Sequence, residues 1–571
     1  MNKEQKQKEL AKLRHSTAHL LAQAVMQLWP STQLTIGPAT EEGFFYDMLP
    51  ERNFKEEDLP VIAERMKELA EKNIPFTHKQ ISKDEARTIY KNNPFKLELI
   101  EGIAGDTVGF AEQGDFYDLC RGDHVESTGQ LKNFKLLGLA GSYWRADKKN
   151  QALQRIYGTA FFTKQELDDY EKMREDAAKY DHRKLGKQLN LFSFHEEGPG
   201  FPFFHPKGQA IINIMTAYMR KLLDAGDYQE ISTPILLDEQ LWHTSGHWAY
   251  YKDNMYTTTI DERTFALKPM NCPGAILVYN ERPHSYRELP MRLAEFGLDH
   301  RHELSGVLHG LMRVRAFTQD DAHVFCTLEQ IEQEVLSMIK MAYTVYKKFG
   351  FDNIRVALAT KPEKSMGTQA QWDIAIQALK NALEQNGISY ELAEGEGAFY
   401  GPKIEFHILD SMKRSWQCGT IQIDFNQPEN FDLTYVTNQG TKERPVMIHR
   451  ALYGSRERFF AILLEHFKGL LPFWLAPIQA RILTITDDQR EYAQDILQQL
   501  KKAGIRAEMD QSSDPISGKI KSAQLEKIPW MLVLGKKEVE QKTITLRYAD
   551  GKQEFGLSLE QLLSKAAEAN Q

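Results

Sequence analysis

The chain has 571 residues, 42% of them hydrophobic and 26% charged, with a formal net charge of −8 at pH 7. This length and composition indicate a folded chain of several domains and exclude an intrinsically disordered protein. The four cysteines are too few for a disulfide scaffold, and the net charge excludes nucleic-acid binding through overall basicity. Neither a bilayer-spanning run nor a signal peptide is visible, so we expect a cytoplasmic protein without membrane contact.

The first region, residues 1–162, contains two pairs of potential catalytic or metal-binding residues. In RHSTAHLLAQAVMQLW, His15 and His19 are four positions apart on a helical pattern and so share a face. In DLCRGDHV, Cys120 and His124 repeat that spacing. Together they could bind zinc tetrahedrally or line a hydrolytic pocket. From the residues alone, two unrelated pairs remain an equal alternative.

Residues 163–190, which include TKQELDDYEKMREDAAKYDHRKLGKQLN, carry charges on most helical turns and few apolar residues. That pattern predicts an exposed connecting helix at a domain boundary.

The largest region, residues 191–475, interleaves helices with strands that alternate faces, which favours an antiparallel sheet. The stretch RVRAFTQDDAHVF, residues 313–325, alternates with period two and predicts a strand with two unlike faces. One face carries Arg313, Arg315, Phe317, Gln319, Asp321 and His323. This composition indicates a binding site, although Arg315 has no role that the sequence suggests.

The residues just before this strand indicate a nucleotide site. Turn residues in VLHGLMRV predict a hairpin that presents Arg301, Glu303, Arg313 and Phe317 to one cavity. Arginine binds phosphate through its planar fork, a phenyl ring stacks on a purine, and Arg458 in YGSRERFFAILLEHF could cover the purine's other side. The chain has neither G-x-G-x-x-G nor G-x-x-x-x-G-K-[ST], which argues against Rossmann and P-loop folds.

Cys272, His323 and His449 are candidate metal ligands, but no spacing rule links them. Taken singly, each is more often part of a satisfied core than a ligand.

The last region, residues 476–571, reads strand, helix, strand, helix, strand, with Gly504 ending the first helix. This order predicts a small, mostly parallel α/β domain.

Several stretches together resemble threonyl-tRNA synthetases. RLAEFGLDHRHELSGVLHGLMRVRAFTQDDAHVFC, LKPMNCPGA and VMIHRALYGSRERF resemble the family's class II core, while HSTAH and DLCRGDHV resemble its editing domain. The resemblance covers nearly the whole chain in the family's order. It implies an α+β multidomain fold: an α+β editing domain (1–162), a connecting helix (163–190), a class II catalytic domain with an antiparallel sheet (191–475) and an α/β anticodon-binding domain (476–571).

The resemblance also implies roles for individual residues. Those around ATP are Arg301, Glu303, Arg313, Phe317 and Arg458, the last pair sandwiching adenine. Those around the amino acid are Met270, Gln319, Asp321, Tyr400 and Gln417. The ligands of one Zn²⁺ are Cys272, His323 and His449. The editing residues, which act as catalytic groups without metal, are His15, His19, Asp118, Cys120 and His124. The anticodon contacts are Lys521, Glu538 and Arg547.

The partners that the resemblance implies are tRNA(Thr), L-threonine and ATP with Mg²⁺. A homodimer would form through motif 1, around DYQEISTPIL with Pro234. A local basic run could hold the phosphates of the tRNA acceptor arm, or it could be a solvated surface. The run consists of Lys132, Lys135, Arg145, Lys148, Lys149 and Arg155.

Three departures from the family pattern are visible. Only 14 residues precede His15, which implies that the ubiquitin-like N-terminal domain of other members is absent. Ala275 in MNCPGA stands where the family has histidine, and Gln427 in IDFNQPENF stands where an apolar residue is usual. We expect both substitutions at the rim of the active site, where they would alter sensitivity to a natural inhibitor.

Two other functional classes compete with an active ligase. One is a synthetase-like regulator without catalysis, and the other is a free-standing zinc hydrolase that uses only residues 1–160. The intact arginines and ligand triad argue against the first, and the complete nucleotide site argues against the second.

Overall fold

The computed structural model describes residues 3–410 and 414–570. The chain divides into two compact units, Met1–Glu175 and Asp176–Gln571.

The first unit is organised around one long helix and a four-stranded sheet of order β1-β2-β7-β6. The second half of that helix, α1, is buried through Ala18, Leu21 and Val25, which pack in a core with the sheet. A second sheet, of order β3-β4-β5, carries its own small core. The elements are α1 (Lys3–Leu28), β1 (Gln33–Leu34), β2 (Phe44–Leu49), α2 (Asp58–Glu71), β3 (Phe76–Ser82), α3 (Lys83–Ile89), α4 (Pro94–Glu101), β4 (Thr107–Gln113), β5 (Phe116–Leu119), β6 (Phe134–Tyr143) and β7 (Ala152–Ala160).

The predicted connecting helix is two helices, α5 (Lys164–Lys179) and α6 (His182–Gln188). No residue of α5 is buried, as expected for an exposed helix. In α6, however, His182 and Leu185 are buried, and the Asp181 side chain caps the helix by accepting a hydrogen bond from the Arg183 backbone N–H. The prediction of one exposed helix was wrong for residues 182–188. The many charges in this stretch indicate exposure, but the few residues between them form one buried face of a short helix.

The main sheet of the second unit has eight strands in the order β10-β15-β16-β23-β20-β19-β17-β18. Its inner pairs are antiparallel and its two outer pairs are parallel, so the predicted antiparallel sheet is confirmed. Apolar residues of α7, α11, α12 and α14 share its core. The strands are β8 (Phe192–Ser193), β9 (Phe203–Phe204), β10 (Gln229–Glu230), β11 (Leu236–Asp238), β12 (Thr257–Ile260), β13 (Arg263–Leu267), β14 (His284–Ser285), β15 (Met291–His300), β16 (Ala316–Cys326), β17 (Ile354–Ala359), β18 (Glu391–Ala393), β19 (Lys403–Leu409), β20 (Ser415–Asp424), β21 (Tyr435–Val436), β22 (Lys442–Glu443) and β23 (Val446–Ser455). The helices are α7 (Pro206–Ala225), α8 (Glu239–Thr244), α9 (His247–Tyr251), α10 (Cys272–Tyr279), α11 (Ile331–Lys348), α12 (Gln369–Gln385), α13 (Asn426–Asn430) and α14 (Arg456–His466).

The predicted hairpin is confirmed by the register of β15 and β16, which runs from Met291 opposite Phe325 to His300 opposite Ala316. Strand β16 begins only at Ala316, so Arg313 and Arg315 lie in the loop between the strands. The predicted strand was therefore three residues too long at its start. The period-two pattern of the sequence extends back to Arg313, but the pairing of the strand begins at Ala316.

The C-terminal part of the second unit has a five-stranded sheet of order β25-β24-β26-β27-β28. The predicted strand–helix alternation is confirmed, and the first helix ends at Lys502, before Gly504, whose φ of +76° suits glycine. The first three strands are parallel, but the last two run antiparallel and were not predicted. The elements are β24 (Ala480–Thr484), α15 (Arg490–Lys502), β25 (Ala507–Met509), α16 (Ile516–Leu525), β26 (Trp530–Leu534), α17 (Lys536–Gln541), β27 (Ile544–Tyr548), β28 (Gln553–Leu557) and α18 (Leu559–Ala569).

Among the helices of the described residues, none combines the length and the apolar character that crossing a membrane requires.

Candidate active sites

A cavity of about 520 Å³ lies beside β16, β20 and β23 in the second unit. The loop after β15, three strands and the start of α14 all contribute to its wall. Its lining includes seven residues that the sequence predicted around ATP or the amino acid: Arg301, Glu303, Arg313, Phe317, Gln319, Gln417 and Arg458. The fold therefore brings residues from distant parts of the chain to one wall.

Protein contacts hold each arginine of this wall in place. Arg313 Nε donates to Glu303 Oε2 at 3.0 Å, Arg301 Nε to the Pro269 carbonyl at 3.1 Å and Arg458 Nε to the Met312 carbonyl at 3.0 Å. These bonds fix the plane of each guanidinium before any ligand binds. Burial lowers the pKa of Arg458 from its ordinary value, yet arginine stays charged at neutral pH.

The Phe317 ring has an arginine over it. The guanidinium carbon of Arg301 lies 5.0 Å from the centre of that ring, and 5.5 Å from the centre of the Tyr251 ring. The resemblance implied Arg458 as the partner of Phe317 around adenine. Arg458 lines the same cavity, but the cation that covers the ring here is Arg301.

Arg315, which had no assigned role, stabilises the loop. Its Nε donates to the Glu303 carbonyl at 2.9 Å and its Nη1 to the Pro199 carbonyl at 3.0 Å. It therefore positions the backbone of Glu303 and has a structural role.

Cys272, His323 and His449 form a buried cluster in which one donor atom of each residue lies within 4.8 Å of the others. His323 on β16 and His449 on β23 stand directly opposite each other in the sheet register, with ring centres 5.0 Å apart. Cys272 is the first residue of α10. Strand pairing thus brings the two histidines together, and the start of α10 adds the cysteine.

The chemistry of this cluster suits a divalent metal such as zinc. Burial lowers the pKa of His323 to about 4, so its ring is neutral, which is the form that binds metal. Its Nε2 atom is buried and has no hydrogen-bond partner among the described residues. One thiol and two imidazoles are ligands that zinc prefers, and a set of three leaves a coordination position for substrate.

Two buried side chains outside the cluster, those of Asp424 and Gln427, support it through hydrogen bonds. Asp424 Oδ2 lies 3.0 Å from His449 Nε2 and accepts a hydrogen bond from Gln427 Nε2, also at 3.0 Å. Carboxylate–histidine pairs of this kind fix the orientation of metal-binding imidazoles. Gln427 is fully buried and Ala275 is 1% exposed. Both residues are buried in helices that adjoin the cluster, Ala275 in α10 with Cys272 and Gln427 in α13, so their place at the rim of the active site stays a prediction.

The residues predicted around the amino acid surround the same cluster. Asp321 Oδ2 accepts from Asn271 Nδ2 at 3.2 Å and lies 3.8 Å from His323 Nε2. The Tyr400 ring centre is 4.8 Å from that of His449, and its hydroxyl donates to Gln422 Oε1. Since Gln422 lines the cavity, the cluster and the cavity adjoin.

Met270 borders the cluster through a residue that the sequence did not indicate. His247 Nε2 lies 3.0 Å from Met270 Sδ and 3.7 Å from Cys272 Sγ. Burial lowers the pKa of His247 to about 3, so this ring is neutral as well.

The first unit has its own cavity, of about 610 Å³, whose wall includes His15, His19, Asp118 and Cys120. His124 Nε2 is 3.2 Å from Cys120 Sγ, and His15 Nε2 is 3.6 Å from the same sulfur. One donor atom each of His15, His19, Cys120 and His124 lies within 4.8 Å of the others. The two pairs predicted from spacing therefore meet.

Burial determines the protonation of this second cluster. It lowers the pKa of His15, places that of His19 well below its ordinary value and lowers that of His124 to about 2, with neighbouring imidazoles adding to the effect. Burial also raises the pKa of Cys120 to about 11. The cluster accordingly holds neutral imidazoles and a neutral thiol at pH 7.

Asp118 lies at the base of this cavity in a network of buried polar groups. Its carboxylate accepts hydrogen bonds from Lys96 Nζ, from the Tyr46 hydroxyl and, at 2.8 Å, from the Leu119 backbone N–H. Lys96 and Asp118 are each 2% exposed. Removing either charge would leave the other buried and unpaired, so the pair holds this wall rigid.

Some of these residues could have been found from sequence and others could not. In TIQIDF, the polar residues Thr420, Gln422 and Asp424 alternate with apolar ones, a period-two signal that points to Gln422 and Asp424. Lys96 and His247 carry no such signal, because nothing in a sequence marks which single lysine or histidine will be buried.

The residues of the basic run and the predicted anticodon contacts differ from one another in exposure and in hydrogen bonding. Arg155 makes two hydrogen bonds to buried Asp47, at 2.6 and 2.7 Å, and Lys135 and Arg145 pair with glutamates. Lys132, Lys148 and Lys149 are exposed. Lys521 is exposed, Glu538 accepts from the Gly535 backbone N–H at 2.9 Å, and Arg547 Nε is buried with no hydrogen-bond partner in the described part of the chain.

Comparison with known families agrees with this architecture. The family model for the "tRNA synthetase class II core domain (G, H, P, S and T)" matches residues 256–467, the "anticodon binding domain" matches 479–569, and the "Threonyl and Alanyl tRNA synthetase second additional domain" matches 108–157.

Relatives and solved structures are similar over long stretches. A threonine–tRNA ligase of Clostridium tetani is 52% identical over 97% of this chain and 87% of its own length. One from Acetivibrio thermocellus is 53% identical over 97% and 88%. The crystal structure of the RNA binding domain of a threonyl-tRNA synthetase from Cryptosporidium parvum is 44% identical, with a TM-score of 0.66 over 68% of this chain and 98% of that one. A prolyl-tRNA synthetase from the same organism, at 16% identity and a TM-score of 0.54 over 68% and 74%, shares the fold. The chain therefore belongs to the threonine–tRNA ligase family of class II aminoacyl-tRNA synthetases.

Proposed function

We propose that this protein ligates L-threonine to tRNA(Thr) in two steps and hydrolyses mischarged Ser-tRNA(Thr) at a separate site. The first step forms threonyl-adenylate from threonine and ATP, and the second transfers threonine to the 3′ end of the tRNA. The observation that carries the proposal is the convergence of Cys272, His323 and His449 next to a cavity lined by three arginines.

The arginine wall supports adenylate formation. In this step the threonine carboxylate attacks the α-phosphate of ATP, so the protein must align two anions and neutralise their charge. Arg301, Arg313 and Arg458 are oriented by hydrogen bonds to the protein, and Phe317 offers a ring face for adenine. Mg²⁺ accompanies ATP and neutralises further phosphate charge when bound.

The buried cluster accounts for the choice of amino acid. A pocket based on shape alone separates threonine from its isostere valine only about a hundredfold. Cys272, His323 and His449 would hold Zn²⁺, which when bound supplies a Lewis-acid position for the amine and hydroxyl of threonine. Asp321, 3.8 Å from His323 Nε2, would accept the hydroxyl proton. Met270, Gln319, Tyr400 and Gln417 complete the proposed pocket.

Serine has the same amine and hydroxyl as threonine, so a second check is required. Loss of one methyl group is worth about 1–3 kcal/mol, or roughly 10–200-fold. The cavity of the first unit supports hydrolysis, since the imidazoles of His15, His19 and His124 are neutral and can hydrogen-bond and orient a water molecule beside the ester. Cys120 and Asp118 would position the ester, and the resemblance to the family assigns these residues catalytic roles without a metal.

The same proposal gives a role to each part of the chain, a cellular location and an oligomeric state. We assign residues 1–162 to editing, 163–190 to a connecting segment, 191–475 to catalysis and 476–571 to the anticodon, and place the protein in the cytoplasm. A homodimer is supported by exposed apolar residues in and beyond motif 1: Ile235, Leu236, Ile260, Leu277 and Val278. Lys521, Glu538 and Arg547 are the proposed anticodon contacts.

The decisive experiment is ATP–pyrophosphate exchange with threonine, valine and serine. We expect rapid exchange with threonine, slower exchange with serine and none above background with valine. In parallel, the protein should deacylate Ser-tRNA(Thr) and spare Thr-tRNA(Thr). Absence of exchange with all three amino acids would refute the ligase proposal, whereas equal exchange with valine would refute the role of the metal cluster.

A further inference from the structure

His182, the first residue of α6, is a fully buried histidine outside both proposed sites. Its Nδ1 lies 2.7 Å from Glu465 Oε1 on α14, and its Nε2 accepts a hydrogen bond from the Leu311 backbone N–H at 3.1 Å. A backbone N–H can only donate, so Nε2 must be unprotonated and Nδ1 must carry the proton given to Glu465. Both ring nitrogens are therefore committed, one to a helix and the other to a loop.

The loop that His182 holds is the one that leads into the arginine wall. Leu311 and Met312 precede Arg313 directly, and the Met312 carbonyl accepts from Arg458 Nε at 3.0 Å. Arg458 and Glu465 are seven residues apart on α14, two turns that place them along one face of the helix. Helix α14 therefore contacts residues 311–312 in two ways. Arg458 donates directly to the Met312 carbonyl, and Glu465 holds His182, which accepts from the Leu311 N–H.

The fit at this contact is tight. Gly310 has a φ of +49°, and a Cβ added there would lie 2.2 Å from His182 Nε2. Leu311 is fully buried, and its N–H would lose this acceptor if the imidazole were removed. The imidazole therefore fixes the distance between this loop and α6.

We propose that His182 is a positioning residue for ATP, which sets the place of Arg313 and Arg458 by accepting the hydrogen bond of the Leu311 N–H. This inference rests on the proposed adenylation function and adds to it a residue that does not touch substrate. The bond to Glu465 serves to hold the ring in the required tautomer. Charged groups around Glu465, including Arg414 Nη2, which donates to Glu465 Oε2, keep that carboxylate in place.

Two substitutions at His182 separate this role from general stability. His182→Gln places an amide oxygen near the position of Nε2 and can still accept from Leu311, whereas His182→Asn places its amide near Nδ1 and keeps only the bond to Glu465. We expect His182→Asn to raise the KM for ATP in threonine-dependent exchange by about tenfold or more, since displaced arginines would lose charge-assisted hydrogen bonds to the phosphates. The KM for threonine should change less than about twofold, and His182→Gln should keep most of the wild-type KM for ATP.

The matched control is His466→Asn, which truncates a partly buried histidine at the end of α14 that packs on Phe351 and Phe467. It should leave both KM values unchanged. Thermal unfolding of each variant, followed by circular dichroism, reports whether the second unit is folded. If His182→Asn does not fold, Gly310→Ala displaces the same loop and should raise the KM for ATP in the same selective way.

The proposal is wrong if His182→Asn and His182→Gln have the same KM for ATP, or if Gly310→Ala leaves that KM unchanged. Failure of the ligase proposal itself looks different, because the wild-type protein would then show no threonine-dependent exchange. In that case ATP binding measured by calorimetry on the same variants tests the positioning role by itself, with the same ranking expected.

Discussion

The two cysteine–histidine clusters of this protein use the same side chains in different ways. In the first unit, His15 and His19 share a face of α1, and Cys120 and His124 follow β5 on a loop. In the second unit, His323 and His449 face each other across paired strands, and Cys272 begins a helix. Both clusters place their donor atoms within 4.8 Å. Their surroundings, not their composition, distinguish them.

The nitrogen and sulfur atoms of the first cluster contact one another, whereas one nitrogen of the second cluster has no hydrogen-bond partner among the described residues. Cys120 Sγ contacts His124 Nε2 and His15 Nε2, and His124 Nδ1 lies 3.2 Å from Ser16 Oγ, all beside an open cavity. In the second cluster, His323 Nε2 is buried without a hydrogen-bond partner in the described part of the chain, and Asp424 holds His449 from behind. An unsatisfied buried nitrogen is costly unless something else binds it. The unpartnered nitrogen of His323 is therefore the feature of the second cluster that favours a bound metal.

The largest effect that would test this contrast is loss of the metal. Cys272→Ser should remove zinc from the purified protein and lower threonine-dependent exchange by a factor of about 100 or more, since a ligand of a buried triad is lost. Cys120→Ser is the matched control and should keep both the zinc content and the exchange rate. Elemental analysis should give one zinc per wild-type chain. Two zinc ions per chain, or loss of zinc in Cys120→Ser, would show that the first cluster also binds metal.

The second effect concerns hydrolysis. His124→Ala should lower the deacylation of Ser-tRNA(Thr) by about 100-fold, because the imidazole would position the attacking water and misplacement of a reacting group can cost about 10²-fold. Threonine-dependent exchange should be unchanged. His78→Ala is the control, since His78 stacks on His124 with ring centres 4.8 Å apart but is exposed to solvent. Its deacylation rate should fall less than about threefold; an equal loss in both variants would contradict the assignment of His124 as the catalytic group.

The two clusters also differ in how far the sequence alone could predict them. Helical spacing of four brought His15 and His19 together without any knowledge of the fold, because helix geometry is local. His323 and His449, which are 126 positions apart, are joined by strand pairing, and Cys272 reaches them from the start of a helix. Only resemblance to a family linked the three. The strand face that carries Phe317, Gln319, Asp321 and His323 was visible from period two alone.

Residues that act through other residues escaped prediction for a different reason. His182 lies in a stretch so rich in charge that its pattern indicates solvent exposure, yet the fold buries it completely. Gln427 was expected at the rim of the active site, but its hydrogen bond to Asp424, which contacts His449, was not predicted. Both positions are determined by long-range packing, and no periodicity within the local sequence encodes it.

The smallest expected effect is a pH profile that separates the first cluster from an ordinary histidine site. A histidine base with an unperturbed pKa of about 6.5 would be only about one quarter neutral at pH 6. Burial lowers the pKa of His15 and His19, and that of His124 to about 2, so these rings remain unprotonated as the pH falls through 6.5. Deacylation of Ser-tRNA(Thr) should therefore fall less than about twofold between pH 8 and pH 6, when measured with enzyme in excess. A fourfold fall with a midpoint near 6.5 would mean that the imidazoles are hydrated in solution, and the cluster would then lose the protection from water that distinguishes it from a surface group.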